Sequence, residues 1–223
     1  MIITIDGPAG SGKSTAARKL AARLGWAYLD TGAMYRAVAL KALQQHVDLD
    51  DPQALARIAA AADVDLTCGP THVRVHLDGL DVTEAIRTLD VSGATPAVAR
   101  VADVRQILVD KQRQIATQHD DIIAEGRDQG SVVFPHADLR FFMDASVDQR
   151  AQRRYHELLA DGEEVTLDQV RQNVIMRDEN DLKQWSPLLN DPAVVRIETT
   201  GLSIVQVVDR LMEVINSRQD HQA

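Results

Sequence analysis

A chain of 223 residues, 45% apolar and 26% charged, can bury a sizeable core as one large domain or one domain with insertions. Its net charge of −9 argues against a polyanion spread over the surface, though a small phosphorylated ligand needs only local positive charge. The single cysteine, Cys68, excludes an intramolecular disulfide and a multi-cysteine zinc site, and no run nears the ~18 apolar residues of a membrane span.

The first segment, Ile2-Ile3-Thr4-Ile5, reads as a strand rather than a basic, apolar signal peptide, so a cytoplasmic protein is expected. It runs into Gly7-Pro8-Ala9-Gly10-Ser11-Gly12-Lys13-Ser14, the phosphate-binding pattern G-x-x-x-x-G-K-[ST]. Chance places that pattern in a chain of this length about once in a hundred. Glycines let the backbone curl so that its N–H groups form an anion nest. The following helix points the positive end of its dipole at the same place. Lys13 can bridge the outer phosphates, and the Ser14 hydroxyl can hold Mg²⁺.

Ala16, Ala17, Leu20, Ala21 and Leu24 recur at helical spacing, and Gly25 is a helix stop. Trp26 to Leu29 forms a second strand ending in Asp30-Thr31-Gly32. The resulting βαβ unit predicts a parallel sheet with ligands at the carboxyl ends of its strands. Thr31 is expected to cap a helix carrying Tyr35 and Arg36, and an Ala-rich helix follows from about Pro52 to Ala62. Between Val64 and Asp81 the period changes to two, with turns at Gly69-Pro70 and Asp78-Gly79, so a small antiparallel insertion is expected. One long helix is expected from about Ala97 to Thr117.

The α/β pattern resumes with a strand at Asp121 to Ala124 and a loop, Glu125-Gly126-Arg127-Asp128. Leu139 to Met143 is a further strand ending at Asp144. Ser146 with Gln149, and Thr166 with Gln169, suit capping boxes for helices reaching about Ala160 (stopped by Asp161-Gly162) and about Asp181. Val194 to Ile197 is the last strand. The last helix runs from Ser203 to about Asn216, burying Val207, Val208, Leu211 and Ile215, and a frayed tail is expected from Ser217 to Ala223.

Arg150, Arg153 and Arg154 share one helical face, where guanidiniums could neutralise charge on a moving phosphoryl group. Arg177 and Asp181 continue the apolar seam Leu167, Val170, Val174. Arg105 borders the seam Val101, Val104, Leu108, as an arginine lining a pocket would. Arg127 and Asp128 follow a buried strand at its ligand-binding end, flanked by Gly126 and Gly130. Asp6, Asp30 and Glu125 also sit at strand ends and could hold magnesium-bound water; sequence alone does not rank them. The histidines show no metal-ligand spacing, and Trp26 and Trp185 read as packing residues.

Together, residues 7–14, Leu-Asp-Thr-Gly-Ala-Met-Tyr-Arg at 29–36, Ile-Arg-Thr at 86–88, Val-Arg at 104–105, Glu-Gly-Arg-Asp-Gln-Gly-Ser-Val-Val-Phe-Pro at 125–135, Arg-Asp-Glu-Asn-Asp at 177–181 and Thr-Thr-Gly-Leu-Ser at 199–203 resemble the bacterial-type cytidylate kinases. The resemblance implies an α/β, P-loop nucleoside monophosphate kinase fold with a five-stranded parallel sheet. Residues 1–30 and 106–223 would form the core, with a short lid at about 150–166. Residues 31–105 would form the monophosphate-binding region, its β insertion at about 64–81.

It also implies Mg²⁺-dependent phosphoryl transfer from ATP to CMP or dCMP by a monomer that binds neither a nucleic acid polymer nor a membrane. Residues Gly7, Pro8, Ala9, Gly10, Ser11, Gly12, Lys13, Ser14 and Thr15 would hold the ATP phosphates, with Ser14 the metal ligand. Thr31, Tyr35, Arg36 and Arg127 would surround the acceptor phosphate. Arg105 and Asp128 would read cytosine, and Arg177 and Asp181 would approach sugar and phosphates. Lys13, Arg127, Arg150, Arg153 and Arg154 would be catalytic.

Two positions depart from the family pattern. Pro96 stands where many members have a serine near the base, and Lys183-Gln184 replaces an arginine expected before Ser-Pro-Leu, in a segment one residue short. A kinase of another nucleoside monophosphate or small metabolite is therefore the second reading. A P-loop ATPase or nucleotide sensor is the third, although the chain lacks the extended Asp-Glu strand and the Asn-Lys-x-Asp motif.

Overall fold

The computed structural model describes residues 1–160 and 162–220. The expected helix stop at Asp161 and the last three residues of the expected tail lie outside the described residues. Five strands, β1 (Ile2–Asp6), β2 (Ala27–Asp30), β6 (Ile122–Gly126), β7 (Leu139–Asp144) and β8 (Val195–Glu198), form a wholly parallel sheet in the order β2-β6-β1-β7-β8. Three more, β3 (Val64–Cys68), β4 (Val73–Leu77) and β5 (Leu80–Asp81), make the small antiparallel sheet at the expected insertion.

The central strands β1 and β6 are buried on both faces, which is why they read as nearly unbroken apolar runs. On one face, α1 (Lys13–Leu24) and α8 (Ile204–Asp220) pack Leu20, Leu211 and Ile215 onto Ile3, Ile5 and Phe141. The other face is covered by α2 (Thr31–Gln44), α3 (Pro52–Ala61), α4 (Leu89–Ala99) and α5 (Ala102–Ala116). Their Met34, Leu55, Val98 and Leu108 join Leu29, Ile122 and the inner face of the small sheet. Register puts Asp6 opposite Gly126 and Asp30 opposite Glu125, so these groups meet at the carboxyl edge. No helix among the described residues is long and apolar enough to cross a membrane.

Five expectations need correction. Asp30, not Thr31, caps α2: its carboxylate accepts from the Ala33 N–H at 3.0 Å, which leaves the Thr31 hydroxyl free to turn inward. Glu125 belongs to β6 rather than to a loop, because β6 pairs with β1 as far as Gly126. The single long helix is two, α4 and α5. Val101 between them is extended, so that α4 can lie on α2 while α5 lies on α3, and Pro96 sits inside α4.

The helix that begins at the Thr166–Gln169 capping box does not stop near Asp181. This α7 (Leu167–Leu189) continues because Trp185 and Leu188 bury against Phe142 and Val194. The Trp185 ring meets Phe142 edge-on, centroids 6.0 Å apart, as a packing residue should. The tail does not fray from Ser217, since α8 is helical to Asp220. A Ser203–Gln206 hydrogen-bonded pair starts that helix.

Candidate active site

The loop from Gly7 to Gly12 leaves β1 and enters α1 through three glycines at positive φ, 148° at Gly7, 78° at Gly10 and 88° at Gly12. A Cβ at Gly7 would stand 2.0 Å from the Met143 carbonyl oxygen, so any side chain there would force the loop off β7. Gly12 is the N-cap of α1 and supplies no side-chain acceptor, which leaves the first-turn N–H groups open to a ligand.

The loop's carbonyls are held from outside. On α6 (Val147–Ala160), Arg153 donates to the Gly10 and Ser11 oxygens at 3.3 and 3.1 Å. Arg150 donates to the Ala9 oxygen at 3.3 Å, and the Thr199 hydroxyl to the Ser11 oxygen at 3.1 Å.

The three arginines of α6 therefore differ although they share a helix. Arg150 is buried, donates to the Ala145 oxygen and grips both oxygens of Asp178 on α7, at 2.9 and 2.5 Å. Arg153 rests on the phosphate loop and on Thr199. Arg154 is half-buried, its side chain 40% exposed, and pairs with Glu157 at 2.9 Å, as a solvated basic face would. Sequence spacing gave no sign of Asp178 or Thr199 as partners, because they lie 28 residues from Arg150 and 188 from Ser11.

Lys13 is half-buried, and its ammonium has one long hydrogen bond, 3.4 Å to the Pro8 oxygen. Burial pushes its pKa down, and the neighbouring Arg127 and Arg177 push the same way, against the pull of Glu125 and Asp6. Arg177 is likewise lowered, by burial and then by Arg127. Lys13, Arg127 and Arg177 thus crowd one cleft at the carboxyl edge of the sheet, with Asp181 bound to Arg127 at 2.5 Å. Crowded, partly desolvated cations in a chain of net charge −9 are a standing demand for an anion.

The three strand-end carboxylates now separate. Asp6 accepts the Gln129 and Gly130 N–H groups at 2.7 and 2.8 Å, and burial pushes its pKa up to about 7 against those bonds. Asp30 caps α2 and pairs with Arg36 at 3.0 Å. Glu125 faces Lys13 and the Ser14 hydroxyl, its pKa raised by burial and restrained by Lys13. Among the described residues no group of three or more His, Cys, Asp or Glu could hold a metal by itself. A cation here would need ligands from phosphate and water, which suits Mg²⁺.

Opposite the phosphate loop, the Thr31 hydroxyl donates to the Glu125 backbone carbonyl at 2.8 Å. Tyr35 is buried, and its hydroxyl is pushed up to about 12 by burial and then by Asp128. Arg105 of α5 pairs with Asp128, which is itself buried just beyond β6. The structure thus gathers Lys13, Arg36, Arg105, Arg127, Asp128, Arg177 and Asp181, from five separate stretches of sequence, along one sheet edge. Pro96 and Lys183, the two departures, are both exposed.

Comparison with known proteins follows this geometry. A family model described as cytidylate kinase matches residues 3–217. The cytidylate kinase of Carboxydothermus hydrogenoformans is 42% identical over 221 residues, 99% of each chain. That of Caldanaerobacter subterraneus subsp. tengcongensis is 44% identical, over 96% of this chain and 93% of its own. A shikimate kinase structure from Bacteroides thetaiotaomicron superposes with a TM-score of 0.53 at 12% identity, over 97% of this chain and 98% of its own, and speaks to the fold alone.

Proposed function

The chain belongs to the cytidylate kinase family, and from that membership we propose which of its residues move a phosphoryl group from ATP to CMP or dCMP, giving ADP and CDP or dCDP. The donor phosphates lie in the nest of residues 7–15, with Lys13 across the outer ones. Thr31, Tyr35, Arg36 and Arg127 surround the acceptor phosphate. Arg105 and Asp128 address the cytosine edge; Arg177 and Asp181 reach the sugar and phosphates.

An acceptor phosphate is ionised at neutral pH, so its oxygen attacks without a strong base, and the protein's work is positioning and charge neutralisation. Lys13, Arg127 and Arg177 supply that charge. Arg153 and Arg154 stand at the start of the lid, about 150–166, whose closure excludes water from ATP. Arg150, locked to Asp178 and to the Ala9 oxygen, braces the phosphate loop from the same helix. Ser14 and, through water, Glu125 would hold Mg²⁺, which when bound offsets charge on the phosphate oxygens.

Residues 31–105, with the small sheet, serve as the acceptor-binding region, and residues 1–30 with 106–223 as the core. The protein works as a cytoplasmic monomer on small nucleotides and binds no nucleic acid polymer.

One observation carries this reading: Lys13 and Arg177 are each held below their usual pKa by burial and by the neighbouring Arg127, in one cleft beside a glycine nest. A coupled ADP-release assay with ATP, Mg²⁺ and CMP, dCMP, UMP or AMP tests it. CMP or dCMP should exceed AMP at least about a hundredfold in kcat/KM, the discrimination a buried hydrogen-bonding site can impose. Equal rates with AMP or UMP would transfer the acceptor site to the broader reading.

A further inference from the structure

Two glutamines lie in the dry interior behind the acceptor side of the cleft, and the proposed chemistry uses neither. Gln112, on α5, is wholly buried, and Gln129, just past β6, is 1% exposed. The Gln129 amide nitrogen donates to the Gln112 oxygen at 3.2 Å and to the Thr31 hydroxyl at 3.4 Å. Thr31 in turn donates to the Glu125 carbonyl, and the Gln129 backbone N–H to Asp6.

The other end of the Gln112 amide lies beside the Tyr35 hydroxyl without completing a hydrogen bond to it. The Gln129 oxygen also lacks a partner. Next along α5, Arg113 donates to the Val132 and Val133 carbonyls at 2.8 and 2.9 Å, so the helix grips the segment that carries Gln129.

Gly126 is shaped around this arrangement. A Cβ there would lie 2.7 Å from the Thr31 hydroxyl and 2.8 Å from the Gln129 amide nitrogen. Half-satisfied amides are expensive in a core, and an apolar pair of the same volume would fill the space at less cost. Filling space is therefore a poor account of why amides stand here.

We propose that Gln112 and Gln129 are positioning residues that fix Thr31 and Tyr35 of α2 against the Glu125–Asp128 end of β6, so that acceptor contacts from separate elements keep one spacing. The proposal rests on the acceptor-site reading given above. Neither glutamine touches the donor loop in the contacts described, so the relay acts on one substrate only. Thr31 is reached through Gln129 and Tyr35 through Gln112. Loosening the pair would let α2 drift relative to Arg127 and Asp128 while the nest at residues 7–15 keeps its form.

Gln112→Met and Gln129→Met keep volume and remove the amides; each is assayed with CMP and ATP varied separately, alone and combined with Tyr35→Phe. At least one folded variant should raise the KM for CMP about fivefold or more, with the KM for ATP and kcat within twofold. The effect of Gln112→Met should shrink in the Tyr35→Phe background, because the Gln112 amide acts on α2 through the Tyr35 hydroxyl beside it.

Equal rises in both KM values, no change in either, or effects that multiply independently would overturn the proposal. So would loss of folding in both variants, which would make the pair a stability element. Failure of the unmodified protein to phosphorylate CMP would strike the acceptor-site reading instead, and is seen before any variant is made.

Discussion

Lys13→Ala lowers kcat at least about a hundredfold, a loss of about 2.7 kcal/mol of transition-state stabilisation, while the folded protein keeps its thermal stability. Both halves come from the same geometry. The ammonium makes one long contact, to the Pro8 oxygen, and packs no part of the core. Burial disfavours its charge, and the attraction of Glu125 and Asp6 is opposed by Arg127 and Arg177, so removing it breaks no brace of the fold. On the proposed reading, what is lost is the cation that meets the negative charge spreading during transfer. Steady-state kinetics beside a melting curve check the pair of outcomes. Near-normal turnover would remove Lys13 from the mechanism.

Asp128→Ala acts on one substrate. Its kcat/KM for CMP should fall about ten- to a hundredfold, the cost of losing a charged hydrogen-bond acceptor from a buried site, with the KM for ATP changed less than twofold. Asp128 is buried beyond the end of β6 and holds Arg105 of α5, so the substitution also frees the guanidinium proposed to face the base. The donor nest is built from β1 and α1 and does not lean on that pair. Separate saturation curves for CMP and ATP decide the matter. Equal effects on both would contradict a base-reading role.

Much of this was legible because local chemistry and tertiary structure agree where the chain is most constrained. The strand, glycine loop and helix around Lys13 follow from glycine positions and a continuous apolar run, and period-two alternation announced the sheet at 64–81. Misreadings came where a distant partner decides. Pro96 suggested a helix start, yet α4 runs through it because packing against α2 supports the helix on both sides. The helix from the Thr166–Gln169 capping box was expected to reach only about Asp181. α7 continues because Trp185 finds Phe142, 43 residues back. The α6 arginines carried the same limit: spacing put three guanidiniums on one helix, but only Asp178 and the loop carbonyls distinguish a buried brace from a cation at the surface paired with Glu157.

The carboxylates make the same point at the site itself. Sequence placed Asp6, Asp30 and Glu125 at strand ends and could not rank them. In the folded chain Asp6 is taken by two backbone N–H groups and Asp30 by a helix start and Arg36. Glu125 faces both Lys13 and the Ser14 hydroxyl, and Asp6 acts on Lys13 less strongly. Gln112 and Gln129 carried no sequence sign of burial, although Gln129 lies within the segment 125–135, since a glutamine on a helix or after a strand is ordinarily solvated.

The account turns on two nucleotides occupying two distinct halves of one sheet edge. Amide NMR spectra recorded during titration with a nonhydrolysable ATP analogue, and separately with CMP, test this most directly. The analogue should shift the resonances of residues 10–15 and leave those of Thr31, Arg105 and Asp128 nearly still, and CMP should do the reverse. An analogue that leaves the glycine loop unmoved, or two ligands that perturb the same residues, would contradict it.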